Sequence, residues 1–180
     1  KKDLLKFVPD VDESKIRVIY NGVSEQYHVI ENPDRRLLPF EAQSFVLFVG
    51  SREPYKNFDL TVEAIARTDM NLVVVGGKLT EKEEQFLTQK LGTHRYKGLS
   101  HISNEELNLL YNAAHSLLYP SSYEGFGIPV IEAQKAGCPV IAYKASSIPE
   151  VIGNTPLLME ELTPAAILDS MGVLSDPGNR

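Results

Sequence analysis

The sequence predicts an α/β fold, a Rossmann-like, doubly wound parallel sheet of about six strands with helices on both faces. Short, continuous apolar runs such as Phe45–Val49 are typical of strands buried on both sides of a sheet. Amphipathic helical patterns separate these runs along the chain, as in parallel sheets. Several of those patterns open with helix-capping residues, which supports the alternation of strand and helix.

The composition indicates a soluble globular protein. The chain has 180 residues, of which 43% are hydrophobic and 23% charged, enough for one domain with a sizeable core. Its net charge of −6, without a basic cluster, argues against nucleic acid or a membrane surface as the main partner. The single cysteine, Cys138, excludes an internal disulfide and fits a reducing, cytoplasmic compartment. No apolar run reaches membrane-spanning length, and the initial lysine indicates a piece of a longer protein.

The first part of the chain differs from the rest. We interpret residues 1–44 as a linker region that enters a Rossmann-like nucleotide-sugar-binding domain at residues 45–180. Lys1–Phe7 is predicted as the end of a helix. Ile16–Tyr20 is predicted as a short strand before the turn signal Asn21-Gly22.

From Phe45 onward the elements alternate regularly. The predicted strands are Phe45–Val49, Leu72–Val75, His94–Lys97 before Gly98, Ser116–Tyr119, Pro139–Tyr143 and Leu157–Met159. The predicted helices begin after Asn57, after Thr80 with Glu83 as a capping box, after Ser103 with Glu106 as a second, at Pro129, near Pro149 and after Thr163. We expect Tyr111 and Tyr119 to be core aromatics.

The most informative stretch joins the fourth strand to the next helix. It turns through Gly125 and Gly127 and enters a helix at Pro129. Free N–H groups and the helix dipole at such a turn favour an anion. Glu124 and Glu132 lie in the same stretch, where a pure phosphate site would prefer cations. We therefore expect the two acids to bind hydroxyl groups of a sugar or ribose.

Topology places a second loop beside this turn. If the strand order is 3-2-1-4-5-6, strands one and four are neighbours, and ligands bind outside their carboxyl ends. The loops there are Gly50–Asn57 and Pro120–Pro129, and the first carries Arg52 and Lys56. A dinucleotide-dependent oxidoreductase is disfavoured because no G-x-G-x-x-G helix entry follows Gly50.

The run from Ser121 to Ala133, followed by Ala136-Gly-Cys-Pro-Val-Ile141, resembles the C-terminal half of retaining GT-B glycosyltransferases, the group 1 family. The two glutamates separated by seven residues are the hallmark of that family. Further matches lie along nearly all of the chain in the same order: Ile19–Val23, Phe48–Gly50 with Lys56-Asn57, Gly98 before Asn104–Leu107, and Ser147–Gly153.

The resemblance implies the donor-binding half of a two-domain enzyme that moves a hexose from a GDP- or UDP-linked sugar to a glycan or lipid-linked acceptor. Its partners would be the donor and an absent N-terminal acceptor domain, which would also make any peripheral membrane contact. Arg52 and Lys56 would stabilise the leaving phosphate, and Glu124 and Glu132 would bind the sugar and ribose hydroxyls. The resemblance assigns the remaining donor contacts to three groups: Gly50, Ser51 and Gly76; Lys97, Gly98 and Leu99 around the base; and Gly125, Phe126, Gly127, Ile128, Pro129 and Val130 around the distal phosphate and sugar. It implies no metal and no cofactor.

One departure and two alternatives belong with this interpretation. The family commonly has arginine directly after the glycine, where this chain has Ser51, so that Arg52 is displaced by one residue. A GT-B sugar-nucleotide epimerase shares the fold but usually lacks the Glu-Gly-Phe-Gly run. A non-catalytic nucleotide-sugar-binding module would retain the fold without the chemistry, and we expect the isolated chain to behave in this way.

Overall fold

The computed structural model describes residues 2–175, which form helices and strands in regular alternation after a loop-rich start. In chain order the elements are α1 (Lys2–Phe7), β1 (Phe45–Val49), α2 (Phe58–Ile65), β2 (Asn71–Gly76), α3 (Glu81–Leu91), β3 (Tyr96–Ser100), α4 (Asn104–Ala113), β4 (Ser116–Tyr119), α5 (Ile128–Lys135), β5 (Val140–Tyr143), α6 (Ile148–Ile152), β6 (Leu158–Met159) and α7 (Pro164–Leu174). No helix within this range is long and apolar enough to cross a membrane.

The strands form one parallel sheet in the order β3-β2-β1-β4-β5-β6, which confirms the predicted doubly wound topology. In β1, Val46 lies opposite Leu72 of β2 on one side and Ser116 of β4 on the other. Because β1 and β4 are adjacent and parallel, the loops that follow them leave the same edge of the sheet side by side.

Alternation along the buried strands creates two hydrophobic layers. Phe45 and Leu47 of β1 pack in the layer that contains α4, α5 and α6. Val46 and Phe48 point to the opposite face and pack with α2, α3 and α7. Burying one such side chain is worth about 1.5–3 kcal/mol, so the two layers give the loops at the sheet edge a rigid base.

The predicted helix starts are largely confirmed. Both capping boxes form, Thr80 with Glu83 and Ser103 with Glu106. Asn57 differs, since it precedes α2 as predicted but makes no side-chain cap. Its amide instead donates to the carbonyl of Pro120, 2.8 Å away, and so ties two loops together.

Two predicted strands require correction. Ile16–Tyr20 does not form a strand, because its β-branched residues have no neighbouring strand to pair with, and Ile19 is 88% exposed. The third strand runs over Tyr96–Ser100 rather than His94–Lys97. Gly98 continues this strand instead of ending it because its missing side chain leaves room for Leu79; a Cβ there would lie 2.5 Å from the Leu79 Cδ1 atom.

Residues 23–30, which we call the strap, lie across α4. The Asn108 Oδ1 atom accepts a hydrogen bond from the backbone N–H of His28, and Asn112 Oδ1 accepts one from that of Ile30, at 3.1 and 2.7 Å. Asn108 and Asn112 are four residues apart and therefore share one face of the helix. Tyr27 of the strap is 3% exposed. The predicted division of the chain at residue 44 stays a prediction, but the strap is packed against the domain.

Candidate active site

The loops that follow β1 and β4 are joined by hydrogen bonds. Asn57 donates to the carbonyl of Pro120, and the backbone N–H of Ser122 donates to the carbonyl of Tyr55 at 2.8 Å. The Ser122 hydroxyl reaches the same carbonyl at 3.1 Å. The two loops therefore act as one platform at the predicted switch point of the sheet.

An ion pair between Lys56 and Glu124 occupies the centre of this platform. The Lys56 Nζ and Glu124 Oε1 atoms are 2.5 Å apart, and each side chain is only 11% exposed. Tyr119, the last residue of β4, lies beneath the pair: its hydroxyl is 3.4 Å from Lys56 Nζ, and its ring centroid is 5.1 Å from it. Burial, together with the charge and hydrogen bond of Glu124, raises the pKa of Tyr119, so its hydroxyl stays protonated. The site thus holds one cation and one anion with a neutral hydroxyl under both.

Two serines, Ser146 and Ser147, bond the backbone of the glycine turn (residues 124–127), and the sequence analysis gave them no role. The Ser146 hydroxyl bonds both the backbone N–H and the carbonyl of Glu124, each at 2.8 Å. The Ser147 hydroxyl lies 3.1 Å from the carbonyl oxygens of Glu124 and Phe126. Both serines follow β5, which neighbours β4 in the sheet. Their position at the same sheet edge as Glu124 could therefore have been inferred from the predicted strand order.

The glycine turn enters α5 much as predicted. The helix begins at Ile128, so Pro129 is its second residue, one later than expected. Gly127 has φ +97°, and a Cβ there would lie 2.8 Å from Ile148, which explains the requirement for glycine. Val130 is fully buried, and its N–H donates to the Gly127 carbonyl at 2.9 Å. The N–H groups that can face a ligand are therefore those of Gly125 to Ile128.

Glu132 lies one turn into α5 and points towards α4. Its carboxylate accepts a hydrogen bond from the Tyr111 hydroxyl at 3.2 Å. Burial raises the pKa of Glu132, while the hydroxyl groups of Tyr111 and Tyr27 act in the opposite direction. Its charge also contributes, less than burial and Glu124, to the raised pKa of Tyr119.

Arg52 bonds residues of α3 and of the loop before it. Its Nε atom is 2.5 Å from Glu83 Oε1, and its Nη2 atom donates to the carbonyl of Lys78 at 2.9 Å. Burial raises the pKa of Glu83, but the hydrogen bonds from Arg52 and Thr80 outweigh it and lower the pKa overall. Within the described residues, the buried Nη1 atom of Arg52 has no hydrogen-bond partner.

The glycines after β1 and β2 bring the backbone close to this arginine. A Cβ on Gly76 would lie 2.4 Å from the Gly50 carbonyl oxygen and 3.6 Å from Arg52 Nη1. Ser51 is exposed between Gly50 and Arg52. The orphaned Nη1 atom therefore lies beside a glycine surface, where an anionic oxygen could satisfy it.

The residues predicted around the base lie on the edge strand β3. Lys97, Gly98 and Leu99 line a cavity of about 410 Å³ on the side of α3, together with Lys78. Lys97 and Leu99 also border a second, more apolar cavity of about 290 Å³ on the side of α4. Residues 2–175 contain no group of three or more histidine, cysteine or acidic residues placed to hold a metal ion.

Comparisons with known proteins agree with this geometry. A family model described as "Glycosyl transferases group 1" matches residues 29–171. Over 160 residues the chain is 31% identical to the O-antigen chain mannosyltransferase RfbU of Salmonella typhimurium, a match that covers 87% of the chain and 43% of that protein. The chain spans less than half the length of the curated relatives that it matches.

Solved structures show the same fold. The C-terminal domain of a group 1 glycosyl transferase family protein from Francisella tularensis aligns with a TM-score of 0.70 and 23% identity, covering 88% of this chain and 89% of that one. Anabaena HepE, solved in complex with UDP and glucose, aligns with a TM-score of 0.75 and 22% identity, covering 90% of this chain and 48% of that one.

Proposed function

The chain belongs to the group 1 glycosyl transferases, and we propose that it is the donor-binding domain of a retaining enzyme. In this proposal the enzyme moves a hexose from a nucleoside-diphosphate sugar to a glycan or lipid-linked acceptor. The observation that carries the proposal is the Lys56–Glu124 pair, held beside the glycine turn at the carboxyl ends of β1 and β4.

The chemistry follows from the charges of this pair. Transfer breaks the bond between the anomeric carbon of the sugar and the distal phosphate oxygen, on which negative charge grows. It forms a bond from that carbon to an acceptor hydroxyl oxygen, whose proton passes to the departing phosphate. Lys56 is the cation that stabilises the negative charge, while the N–H groups of Gly125 to Ile128 bind the same phosphate. Arg52 contributes its Nη1 atom, which has no hydrogen-bond partner among the described residues.

The two carboxylates then bind hydroxyl groups. When a donor binds, the ion pair separates. The phosphate then pairs with Lys56, and a sugar hydroxyl donates a hydrogen bond to Glu124. Glu132, further along α5, accepts from the ribose hydroxyls. A carboxylate–hydroxyl hydrogen bond is worth about 1.5–3 kcal/mol, enough to make both acids important for donor affinity.

Exposed apolar side chains support an additional domain. Phe7, Val18 and Ile19 are 75%, 53% and 88% exposed, and all precede the sheet. Tyr20 follows Ile19 in the chain, and its ring centroid is 6.4 Å from that of Phe126 in the glycine turn. We propose that the acceptor-binding domain lies against Ile19 and Tyr20, so that it would close over the sugar.

The sugar and the base of the donor are proposed from the relatives alone. RfbU is described as a mannosyltransferase, which favours mannose carried by GDP. UDP is the alternative, since HepE was solved with UDP and glucose. Thermal shift of the full-length protein with GDP, UDP and ADP tests this choice, because a ligand at 100 times its Kd stabilises by about 2.7 kcal/mol.

Two outcomes would contradict the proposal. If none of the three diphosphates raises the melting temperature at millimolar concentration, the site does not bind a nucleotide-sugar donor. If one of them binds, but the full-length protein neither transfers nor hydrolyses the corresponding sugar donors, the domain is a non-catalytic binding module.

A further inference from the structure

Glu132 is surrounded by hydroxyl groups rather than by cations. The Tyr111 hydroxyl donates to its Oε2 atom at 3.2 Å, and the Tyr27 hydroxyl, which donates to Asn104, lies close enough to the same carboxylate for each to shift the pKa of the other. The rings of the two tyrosines meet edge to face, with centroids 6.0 Å apart. Both tyrosines are almost fully buried, at 0% and 3% exposure, so their hydroxyls have little freedom to turn elsewhere.

Tyr27 reaches this position because the strap is fixed to α4. Asn112 bonds the strap twice, through the N–H of Ile30 at 2.7 Å and the carbonyl of His28 at 3.0 Å. The Tyr27 hydroxyl is itself 3.1 Å from Asn104 Oδ1. A residue that lies outside the sheet and its helices thereby brings a hydroxyl group next to Glu132.

A half-buried carboxylate needs such donors to remain charged. Removal from water disfavours the ionised form, whereas each hydrogen bond donated to it favours that form. A protonated Glu132 would lose its negative charge and one of its acceptor positions for a ribose hydroxyl. The state of this acid therefore depends on groups that never touch the ligand.

We propose that Tyr111 and Tyr27 are positioning residues that hold the Glu132 carboxylate ionised and directed at the ribose of the donor. This inference rests on the proposed function and goes beyond it, because it assigns nucleotide affinity to two residues of the core and links the strap to the donor site.

The surroundings of Glu132 contain few other charges. The titratable groups on the elements packed around it are Tyr111 and Glu105 of α4, Tyr27 and Glu25 of the strap, Tyr119 of β4, Lys135 of α5 and Cys138 after α5. Of these, Lys135 is the only cation, and it is paired with Glu25 at 3.0 Å. The tyrosine hydroxyls are therefore the main groups that favour the charged acid.

The test is the pH dependence of nucleotide affinity in the full-length protein. Calorimetry with GDP or UDP, whichever binds, is carried out from pH 5 to pH 8 on wild type, Tyr111→Phe and Tyr27→Phe. We expect the pH at which affinity falls on the acid side to move upward by about one unit in Tyr111→Phe. Tyr27→Phe should move it in the same direction by less, because the Tyr27 hydroxyl is shared with Asn104.

Glu132→Gln supplies the control. This variant cannot ionise at residue 132, so its remaining pH dependence is that of the diphosphate itself. In the double variant Tyr111→Phe/Glu132→Gln, the effect of Tyr111→Phe should disappear, since the tyrosine acts through the acid. A role in folding alone would leave that effect unchanged.

The outcomes separate this inference from the proposed function. If wild type binds neither GDP nor UDP at any pH, the proposed function fails and this inference fails with it. If wild type binds but neither Tyr→Phe variant shifts the profile, only the inference is overturned. The inference is also overturned if Tyr111→Phe still shifts the pH profile when residue 132 is glutamine. Should Tyr111→Phe not fold, Tyr27→Phe decides the outcome.

Discussion

Lys56 and Glu124, which are 68 residues apart in the chain, form a 2.5 Å ion pair, and both side chains are largely buried. The pair neutralises the site in the absence of a donor, so neither charge is left buried alone. Under the proposed function, the pair also explains why an acid lies beside a turn that binds phosphate. The acid would balance the charge of the lysine until a phosphate pairs with Lys56 and a sugar hydroxyl bonds Glu124.

The pair should make a measurable contribution to stability. Because both side chains are 11% exposed, Lys56→Met leaves a buried carboxylate without its cation and should destabilise the full-length protein by about 3 kcal/mol. Adding Glu124→Gln should recover most of that loss. Denaturant unfolding of the two single variants and the double variant measures the coupling. Losses that simply add would show that the pair does not form in solution.

The leaving-group role should distinguish Lys56 from Arg52. Lys56→Ala should lower kcat about a hundredfold or more while changing the affinity for the free nucleoside little. Arg52 is already held by Glu83 and the Lys78 carbonyl, so Arg52→Lys should weaken diphosphate binding more than it lowers kcat. Steady-state kinetics with the donor, and binding of nucleoside and nucleoside diphosphate, measure these effects. A near-normal rate in Lys56→Ala would assign the leaving group to Arg52 or to another residue.

The sheet and the glycine turn could be predicted from the sequence because each follows from a local physical constraint. Short continuous apolar runs that alternate with amphipathic helices are typical of a sheet covered on both faces, and the combination of Gly127 and Pro129 specifies how the turn enters its helix. The partner of Arg52 could not be predicted, because Glu83 reaches it only through the packing of α3. Tyr111 and Tyr119 are core aromatics as expected. The direction of their hydroxyls, however, depends on tertiary contacts that no local pattern encodes.

Burial of Glu132 should make stability depend on pH. Its pKa in the folded protein is raised above the ordinary value of 4.5, so the folded state binds this proton more tightly than the unfolded state. The stabilisation is complete below that ordinary value and is lost as the pH rises through the folded pKa. Glu132→Gln remains neutral throughout.

The melting temperature of Glu132→Gln minus that of wild type should therefore increase as the pH rises. The two proteins should melt within a degree or so of each other at about pH 4, and the variant should melt about 2 °C higher towards pH 7. Thermal scans of the full-length proteins between these values measure the difference. A variant that is less stable than wild type at pH 7 would show that the charged form of Glu132 is favoured by folding.

The last prediction separates the roles of the two glutamates. Glu124 lies before the glycines and faces Lys56, where the hexose is expected, whereas Glu132 lies one turn into α5, where the ribose is expected. Glu132→Ala should weaken binding of the nucleoside diphosphate itself by about 1.5–3 kcal/mol. Glu124→Ala should leave that affinity nearly intact, weaken binding of the complete sugar donor and lower the rate of transfer.

Four affinities decide this prediction: each variant of the full-length protein is titrated by calorimetry with the nucleoside diphosphate and with the sugar donor. Glu63→Ala on α2 serves as a matched control, because it removes an exposed acid from a helix that packs on the opposite face of the sheet from α4 and α5. Its affinities for both ligands should equal those of wild type. If Glu124→Ala loses both ligands equally while Glu132→Ala loses neither, the donor does not lie with its ribose at Glu132 and its hexose at Glu124.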